Sequence, residues 1–518
     1  FNPNSFWSLT AVCEVRGAKY PAPPLGLITL AALLPNTWSV RLVNRNAEEL
    51  TAADLAWADL VMTGGMLPQR PDAMEVIRQC KALRKPVVLG GPDVTSSPQE
   101  FELADFRVLG EAEAVIRDFI AAWESGAACG TFEAERFSVD VTTSPIPRFD
   151  LLDFNHYLFV GVQYSRGCPF TCEFCDIIEL FGRVPRAKRN DQMLAELQAL
   201  YDAGYRGHVD FVDDNFIGNK KALKQFLPML EGWQKKHEFP FQFSTEASIN
   251  LADDPELLGM MRRANFFTIF VGIESPDPET LKQTQKKQNT RRSIPDSVYR
   301  IYKAGFFVIA GFIVGFDSEK GSAAEGLIQC IEDTAIPVCM VGLLTALPNT
   351  QFARRLEKEG RMLPWTQDNA ADQCTAGLNF RTRRPRAEIL SDLQRILDEV
   401  YAPKNFFGRV ARVGVALAKP SIALPPSALE QFKLLGRLLA RALRRREMLT
   451  PFAKAFGICL VRNPASLGFV LTMAAFYLHL GPFSRVVTQE LRDLIDASDT
   501  AFYDLVPARA VEALRVGA

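Results

Sequence analysis

Apolar and polar positions change rhythm three times along the chain. Up to about residue 150, short apolar or β-branched runs recur at 39–43, 60–63, 87–89 and 106–109. Helix-capable stretches at 26–34, 72–83 and 111–123 fall between them. Strand–helix alternation of this kind predicts a parallel, doubly wound α/β sheet. Residues 126–155, with Gly126, Gly130, Thr142, Thr143, Ser144, Pro145 and Pro147, read as a linker. From 156 to 350 six apolar runs, at 159–164, 208–212, 241–246, 267–274, 308–314 and 338–344, alternate with polar helical segments such as 190–203 and 220–235. Six βα units predict an open, partial (β/α)6 barrel with its chemistry at the C-terminal ends of the strands. From 351 to 518 the strand rhythm is lost and a mostly helical domain is expected. The expected division is therefore 1–125, linker 126–155, 156–350 and 351–518.

Two helical segments in the last region have alternative readings. Across 431–448, Lys433, Arg437, Arg441 and Arg445 share one face, and Leu434, Leu435, Leu438, Leu439 and Leu443 fill another. An amphipathic helix packed on its own domain is the ordinary reading; a helix lying on an anionic membrane surface is the sharper one. The apolar run 467–480 is shorter than the ~20 residues of a spanning helix, so a core or interfacial helix is expected.

Composition narrows the function classes. The chain has 518 residues, too many for one core, and is 48% apolar and 23% charged, as expected of a globular protein. A formal net charge of −1 argues against general nucleic-acid binding. The first 36 residues lack the basic start, apolar run and cleavage site of a signal peptide. Ten scattered cysteines fit a reducing compartment, so a cytoplasmic protein is expected, with peripheral membrane contact as the alternative. The four histidines, His156, His208, His237 and His479, are too few for a His-rich metal site.

One tight cysteine group stands out. Cys168, Cys172 and Cys175 follow directly on the first barrel run, within Gly167-Cys168-Pro169-Phe170-Thr171-Cys172-Glu173-Phe174-Cys175. Three thiolates can ligate three irons of a cubane, leaving the fourth iron open to a chelating molecule. Zinc is the alternative, but it wants four ligands, and no second CxxC or nearby His follows. CxxxCxxC with an aromatic residue before the last Cys resembles the radical S-adenosylmethionine (SAM) superfamily. The resemblance implies a [4Fe–4S] cluster on Cys168, Cys172 and Cys175, with SAM chelating the open iron and cleaved to a 5′-deoxyadenosyl radical. It implies Phe174 beside the adenine and a polar group for the SAM amine at Asp213 and Asp214. Other strand ends carry Glu246, Glu274-Ser275 and Gly311-Phe312-Ile313-Val314-Gly315. Glu246, Glu274, Ser275 and Gly315 are accordingly expected at the SAM site.

In the first region three glycine turns share one sheet edge: Thr63-Gly64-Gly65-Met66, Gly90-Gly91-Pro92 and Gly110-Glu111. Singly each is a tight βα turn; together they predict a binding face for a large ligand. A Rossmann-like domain ahead of such a barrel resembles the cobalamin-binding class of radical SAM enzymes. Thr63, Gly64, Gly65, Gly90, Gly91, Pro92, Thr95, Gly110 and Glu111 are the implied cobalamin contacts. The DxHxxG motif of many cobalamin proteins is missing; Val43-Asn44-Arg45-Asn46 stands roughly in its place, so no His from this domain would reach cobalt. Further on, Ala371-Asp372-Gln373-Cys374-Thr375, Leu378-Asn379-Phe380 and Tyr401-Ala402-Pro403 resemble the C-terminal extension of the hopanoid C-2 methylase type.

The resemblance implies a cobalamin-dependent methyltransferase. One SAM methylates cobalamin, and a second yields the radical that removes hydrogen from an unactivated carbon of the substrate, which then takes the methyl group. A lipophilic small-molecule substrate, a reductant of the flavodoxin or ferredoxin type and no nucleic acid are the expected partners. Cyclisation, rearrangement or carbon–carbon coupling by the same radical is the second reading, and a non-catalytic metal-binding protein the third.

Overall fold

The computed structural model describes residues 5–364, 377–418 and 428–501, with backbone alone for 428–432 and 497–501. Cys374 and its motif lie outside the described residues.

Two parallel sheets carry the molecule. The first runs β1 (Val61–Gly64), β2 (Val87–Gly90), β3 (Phe106–Leu109) and β4 (Gly130–Glu133), paired in chain order. Alternate residues face opposite sides of a strand. Val87 and Leu89 therefore pack on Val76, Ile77 and Cys80 of helix Arg70–Ala82. Val88, Phe106 and Val108 pack on Ile116 and Phe119 of helix Ala112–Glu124 on the opposite face. Both faces are covered, as an all-parallel sheet requires.

Two details differ from the sequence expectation. The run 39–43 joins no ladder. Arg41 pairs with Asp54 at 2.6 Å, Leu42 packs on the barrel core and Asn44 donates to the Tyr157 hydroxyl at 3.1 Å, so the segment is tied down on two sides instead. Conversely, β4 falls inside the stretch read as linker, where its ladder to β3 makes it the edge of the first sheet.

The second sheet has the order β12-β11-β10-β9-β8-β5 and is parallel throughout. Its strands are β5 (Val160–Val162), β8 (Gly207–Phe211), β9 (Phe241–Glu246), β10 (Phe266–Glu274), β11 (Phe307–Val314) and β12 (Val338–Leu343). β5 and β12 do not pair, so the six-unit arc stays open. Between β5 and β8 a small antiparallel ribbon forms from β6 (Ser165–Arg166) and β7 (Arg186–Ala187). Phe211, Phe243 and Phe266, fully buried, pack against one another in tilted and edge-to-face pairs with ring centroids 5.1–5.4 Å apart.

The C-terminal region is helical: Arg386–Val400, Pro403–Ala416, Ala428–Leu443, Arg446–Arg462 and Leu467–Ala501. The last is long and apolar enough to cross a membrane, yet 67% of its most apolar window is buried against the protein. Arg409 fastens this bundle to the barrel. Its guanidinium is wholly buried, donates to the carbonyls of Ile336 and Val400 and pairs with Glu332. Arg409→Met should cost about 1–3 kcal/mol for each buried carbonyl left without a donor. Urea titration measures that loss, and an unchanged midpoint would mean the bundle is held by its apolar contacts alone.

The cysteine loop and the glycine edge

The cysteine loop leaves β5, passes through the ribbon and carries Cys168, Cys172 and Cys175 between β6 and β7. Gly167 has φ +97°, and a Cβ there would stand 3.0–3.2 Å from the carbonyl oxygens of Gly182, Val184 and Phe181, so the tight neck admits only glycine. The amide of Cys168 donates to Gly182 at 3.1 Å and that of Cys175 to Cys172 at 3.2 Å. Cys172 is buried, and Cys168 and Cys175 are half-buried. Burial raises the Cys168 and Cys175 thiols above their ordinary value.

Asp213 and Asp214, expected at the SAM amine, are occupied by this loop. Asp213 accepts the amides of Tyr164 (3.0 Å) and Ser165 (2.5 Å) and the Ser165 hydroxyl (2.6 Å). Asp214 accepts the amide of Gly167 at 2.6 Å. Burial pushes Asp213 up to about 7 and Asp214 to about 6 in spite of these bonds.

Phe174, Glu274 and Gly315 are brought together. The Phe174 ring lies 5.9 Å from that of Phe316, next to Gly315, and the Lys286 ammonium stands 6.0 Å over its face. Lys286 pairs with Glu274 at 2.7 Å. Glu274 follows a break in the β10–β11 register and has φ +66°, a left-handed backbone that a glutamate adopts only under constraint. Gly315 gives its amide to Glu319 and is walled by Leu378 and Ile389. Ser275 is buried and accepts the amide of Asp277. Glu246 is exposed at the end of β9, two residues beyond Ser244, whose hydroxyl meets His208 Nε2 at 2.5 Å and donates to Asp210. Burial takes His208 down to about 3, so it is neutral. Although Glu246 is exposed, desolvation by the surrounding protein, then the carboxylates of Asp210, Asp214 and Asp213, pushes it up to about 8.

Three polar residues stand beside the cysteines: Asn215, which follows Asp213 and Asp214 in the turn closing the second barrel strand, and Gln288 and Lys286, which sequence reasoning missed. The Asn215 amide lies 3.8 Å from Cys168 Sγ, and the Gln288 amide nitrogen 3.7 Å from Cys172 Sγ. Lys286 is buried, and Glu274 with the Cys172 and Cys175 thiols outweighs its burial and keeps it charged. For Lys286 and Gln288 the signal was the polar run Lys286-Lys287-Gln288-Asn289 after the fourth barrel strand. Gln288 Oε1 is buried with no hydrogen-bond partner among the described residues. Amide donors to sulfur, a buried cation and this spare acceptor suit an anionic iron–sulfur cluster with a polar ligand.

On the first sheet the three glycine turns lie side by side. Gly64 and Gly90 are in register, and a Cβ on Gly64 would run into the Gly90 carbonyl. Gly91 has φ +100° and faces Gly65; Thr95 donates to the Gly91 carbonyl and accepts the amide of Gly110. Pro92 opens the helix Pro92–Ser96. Thr63 pairs with Leu89, one residue before the Gly64–Gly90 end of the ladder. This bare backbone edge suits a flat, bulky ligand. The edge also adjoins the cysteine loop: helix Pro92–Ser96 meets helix Ile177–Leu180, two residues past Cys175, and Asn349 donates to the Ser96 carbonyl at 2.9 Å. Asn44, where a cobalt-binding His could have stood, is buried in a turn with Asn46 and Tyr157. Glu111 does not face the edge; its carboxylate is taken by Arg166 and Arg186 at 2.8 Å each.

A glycine-edged Rossmann-like sheet abutting a three-cysteine loop on an open parallel barrel defines a radical SAM enzyme with a cobalamin-binding domain. Family comparison agrees: residues 14–120 match the B12 binding domain, 162–331 the radical SAM superfamily and 350–493 a domain of unknown function, DUF4070. An uncharacterized methyltransferase from Synechocystis sp. is 43% identical over 496 residues, covering 94% of this chain and 91% of the relative. The hopanoid C-2 methylase of Rhodopseudomonas palustris is 42% identical over 345 residues, 66% of this chain and 65% of that enzyme. Among solved structures, the cobalamin-dependent SAM radical enzyme OxsB, with aqua-cobalamin and S-adenosylmethionine bound, superposes with a TM-score of 0.59 at 16% identity, over 94% of this chain and 79% of that one. The chain belongs to the cobalamin-dependent radical SAM methyltransferases, and its cofactors are a [4Fe–4S] cluster, SAM and cobalamin.

The crowding of Glu246 has a measurable consequence. A carboxyl raised in the folded state stabilises fully below its ordinary value of 4.5, and that contribution is lost as pH rises through about 8. Glu246→Gln should therefore melt above the parent at pH 9 and level with it below pH 4.5. Equal melting at pH 9 would show that the carboxylate is not crowded.

Proposed function

We propose that this enzyme methylates an unactivated carbon of a lipophilic small molecule. The observation that supports the reaction is the contact of helix Pro92–Ser96, on the glycine edge, with helix Ile177–Leu180, which follows the cysteines. Identity to a hopanoid methylase supports the substrate class. Cys168, Cys172 and Cys175 would hold the cluster. Phe174, Glu246, Glu274, Ser275 and Gly315 border SAM, with Lys286 close to Phe174 and Glu274. Asp213 and Asp214 hold the loop in place. Thr63, Gly64, Gly65, Gly90, Gly91, Pro92, Thr95 and Gly110 border cobalamin, on a first domain that extends through β4. When bound, the cluster and SAM supply the hydrogen-abstracting radical, and cobalamin carries the methyl group. The protein orients these groups and shields them from water. A one-electron donor of the flavodoxin or ferredoxin type would feed the cluster.

Reconstituted enzyme given methyl-labelled SAM, a reductant and a hopanoid should transfer label to the product. Deoxyadenosine formed while no lipophilic acceptor becomes labelled would sink the proposal. Cys172→Ala should lose SAM cleavage to background.

The described cysteines are all free, in keeping with a cytoplasmic setting. The helix Ala428–Leu443 supports contact with a membrane face. Arg441 pairs with Glu14, Arg437 reaches the Val15 carbonyl, and Leu438 and Ala442 are buried. Leu435, Leu439 and Leu443 remain 38%, 43% and 64% exposed beside the exposed cations Lys433, Arg444, Arg445 and Arg446. An exposed apolar stripe edged by cations fits an anionic lipid surface. The enzyme should sediment with phosphatidylglycerol vesicles and less with phosphatidylcholine vesicles, and the paired change Leu439→Glu and Leu443→Glu should release it. Equal recovery with both lipids would count against the contact.

A further inference from the structure

We propose that Glu111 and Glu113 are positioning residues that latch the first sheet onto the neck of the cysteine loop and thereby set the separation of the cluster from the cobalamin edge. The identity of the two cofactors rests on the functional reading above; the latch rests on its own ion pairs.

The neck is the two-residue ribbon of β6 and β7, and all three cysteines lie between its strands. Its pairing sets Arg166 directly opposite Arg186. Like charges opposite each other on a ladder destabilise it. Glu111 resolves the conflict from the other sheet, with Oε1 on Arg166 and Oε2 on Arg186, each at 2.8 Å. The second Arg166 nitrogen takes Glu113 at 2.6 Å, and its Nε donates to Gln163 at 2.8 Å. Glu113 also accepts the Ser144 hydroxyl at 2.7 Å. Arg186 donates further to the carbonyls of Val139 and Phe181. Two arginines thus meet two glutamates with side chains only 4–16% exposed. In such a setting removing one partner strands a charge, unlike at a surface pair. Burial works against charge on Glu113, yet Arg166 and Ser144 hold it down to about 2.

The latch continues into the glycine edge. Gly110, one residue before Glu111, has φ +80° and gives its amide to Thr95, which donates to the Gly91 carbonyl. One chain of bonds therefore runs from the cysteine neck to two of the three glycine turns. A generic interface pair would glue two domains anywhere; this one closes the strand pair that brackets the cluster ligands.

The test uses the full chain, first without cofactors. By hydrogen–deuterium exchange, Glu111→Gln should speed exchange at residues 167–187 about tenfold, because the neck opens locally. Adding Arg186→Gln removes the repulsion and should bring exchange back to within about threefold of the parent. Unchanged exchange in the single variant, or a double variant worse than the single, would overturn the latch. After reconstitution, the dipolar distance between the reduced cluster and cob(II)alamin should be single and narrow in the parent and at least doubled in width in Glu111→Gln; an equal width overturns the proposal. If Glu111→Gln does not fold, Glu113→Gln keeps the central carboxylate and should shift both readings in the same direction by about two- to threefold; no shift there counts equally against it. Failure of the parent to bind corrinoid or iron would indict the functional reading, while the exchange data still decide the latch.

Discussion

The whole catalytic edge depends on how one buried carboxylate is used. Asp213, 1% exposed at the end of β8, accepts three donors from residues Tyr164 and Ser165, just past the end of β5. Asp214 accepts the amide of Gly167. The chain leaving β5 is thus gripped at Tyr164, Ser165 and Gly167, on either side of and within the first strand of the neck. Carboxylates so buried resist ionisation, and a barrel keeps them there only because the amides cannot be served otherwise. The pairing of β5 with β8 is what brings the two sides together. Loosen that grip and the cysteines have no defined place relative to any strand end.

Charge around the site follows the same logic. Lys286 is balanced by Glu274, Arg355 by Glu173 and Asp317, Arg384 by Glu319 and Asp392. Glu173 sits among the cluster residues, and the helix Gln351–Lys358 that carries Arg355 also gives the Phe352 amide to the Glu173 carbonyl. The loop is held from the barrel by carboxylates, from the first sheet by Glu111 and from beyond the last strand by Arg355. Few of these partners are near one another in sequence.

That separation explains what the sequence could and could not tell. The six barrel strands were legible because parallel strands buried on both faces leave continuous apolar runs, and the strand bounds fall within a residue or two of those runs. The cysteines were legible because their spacing is local. The run at 39–43 has the same apolar texture yet is pinned by Asp54 and the barrel, and texture alone carries no record of a neighbour. Strand β4 was hidden for the opposite reason: an edge strand reading Gly-Thr-Phe-Glu, exposed at alternate positions, has no apolar run to notice. Lys286, Gln288 and Asn215 reach the cysteines across 40 to 120 residues of chain, roughly, so only folding reveals them. Glu111 was read by its glycine neighbour and went instead to two arginines.

The two ends of the described chain meet. Glu14 pairs with Arg441 across 427 residues, and His479 contacts the Ser5 carbonyl across 474. Helix Thr10–Arg16 therefore waits for helix Leu467–Ala501, its packing partner, to be made. Contacts of such sequence separation form late, and during synthesis the N-terminal helix emerges tens of seconds before its packing partner, at roughly 5–20 residues per second. The barrel can thus assemble on the ribosome with its N-terminal flank still loose. That flank is therefore the last part of the described fold to close, because its partner helix is the last described element to be made.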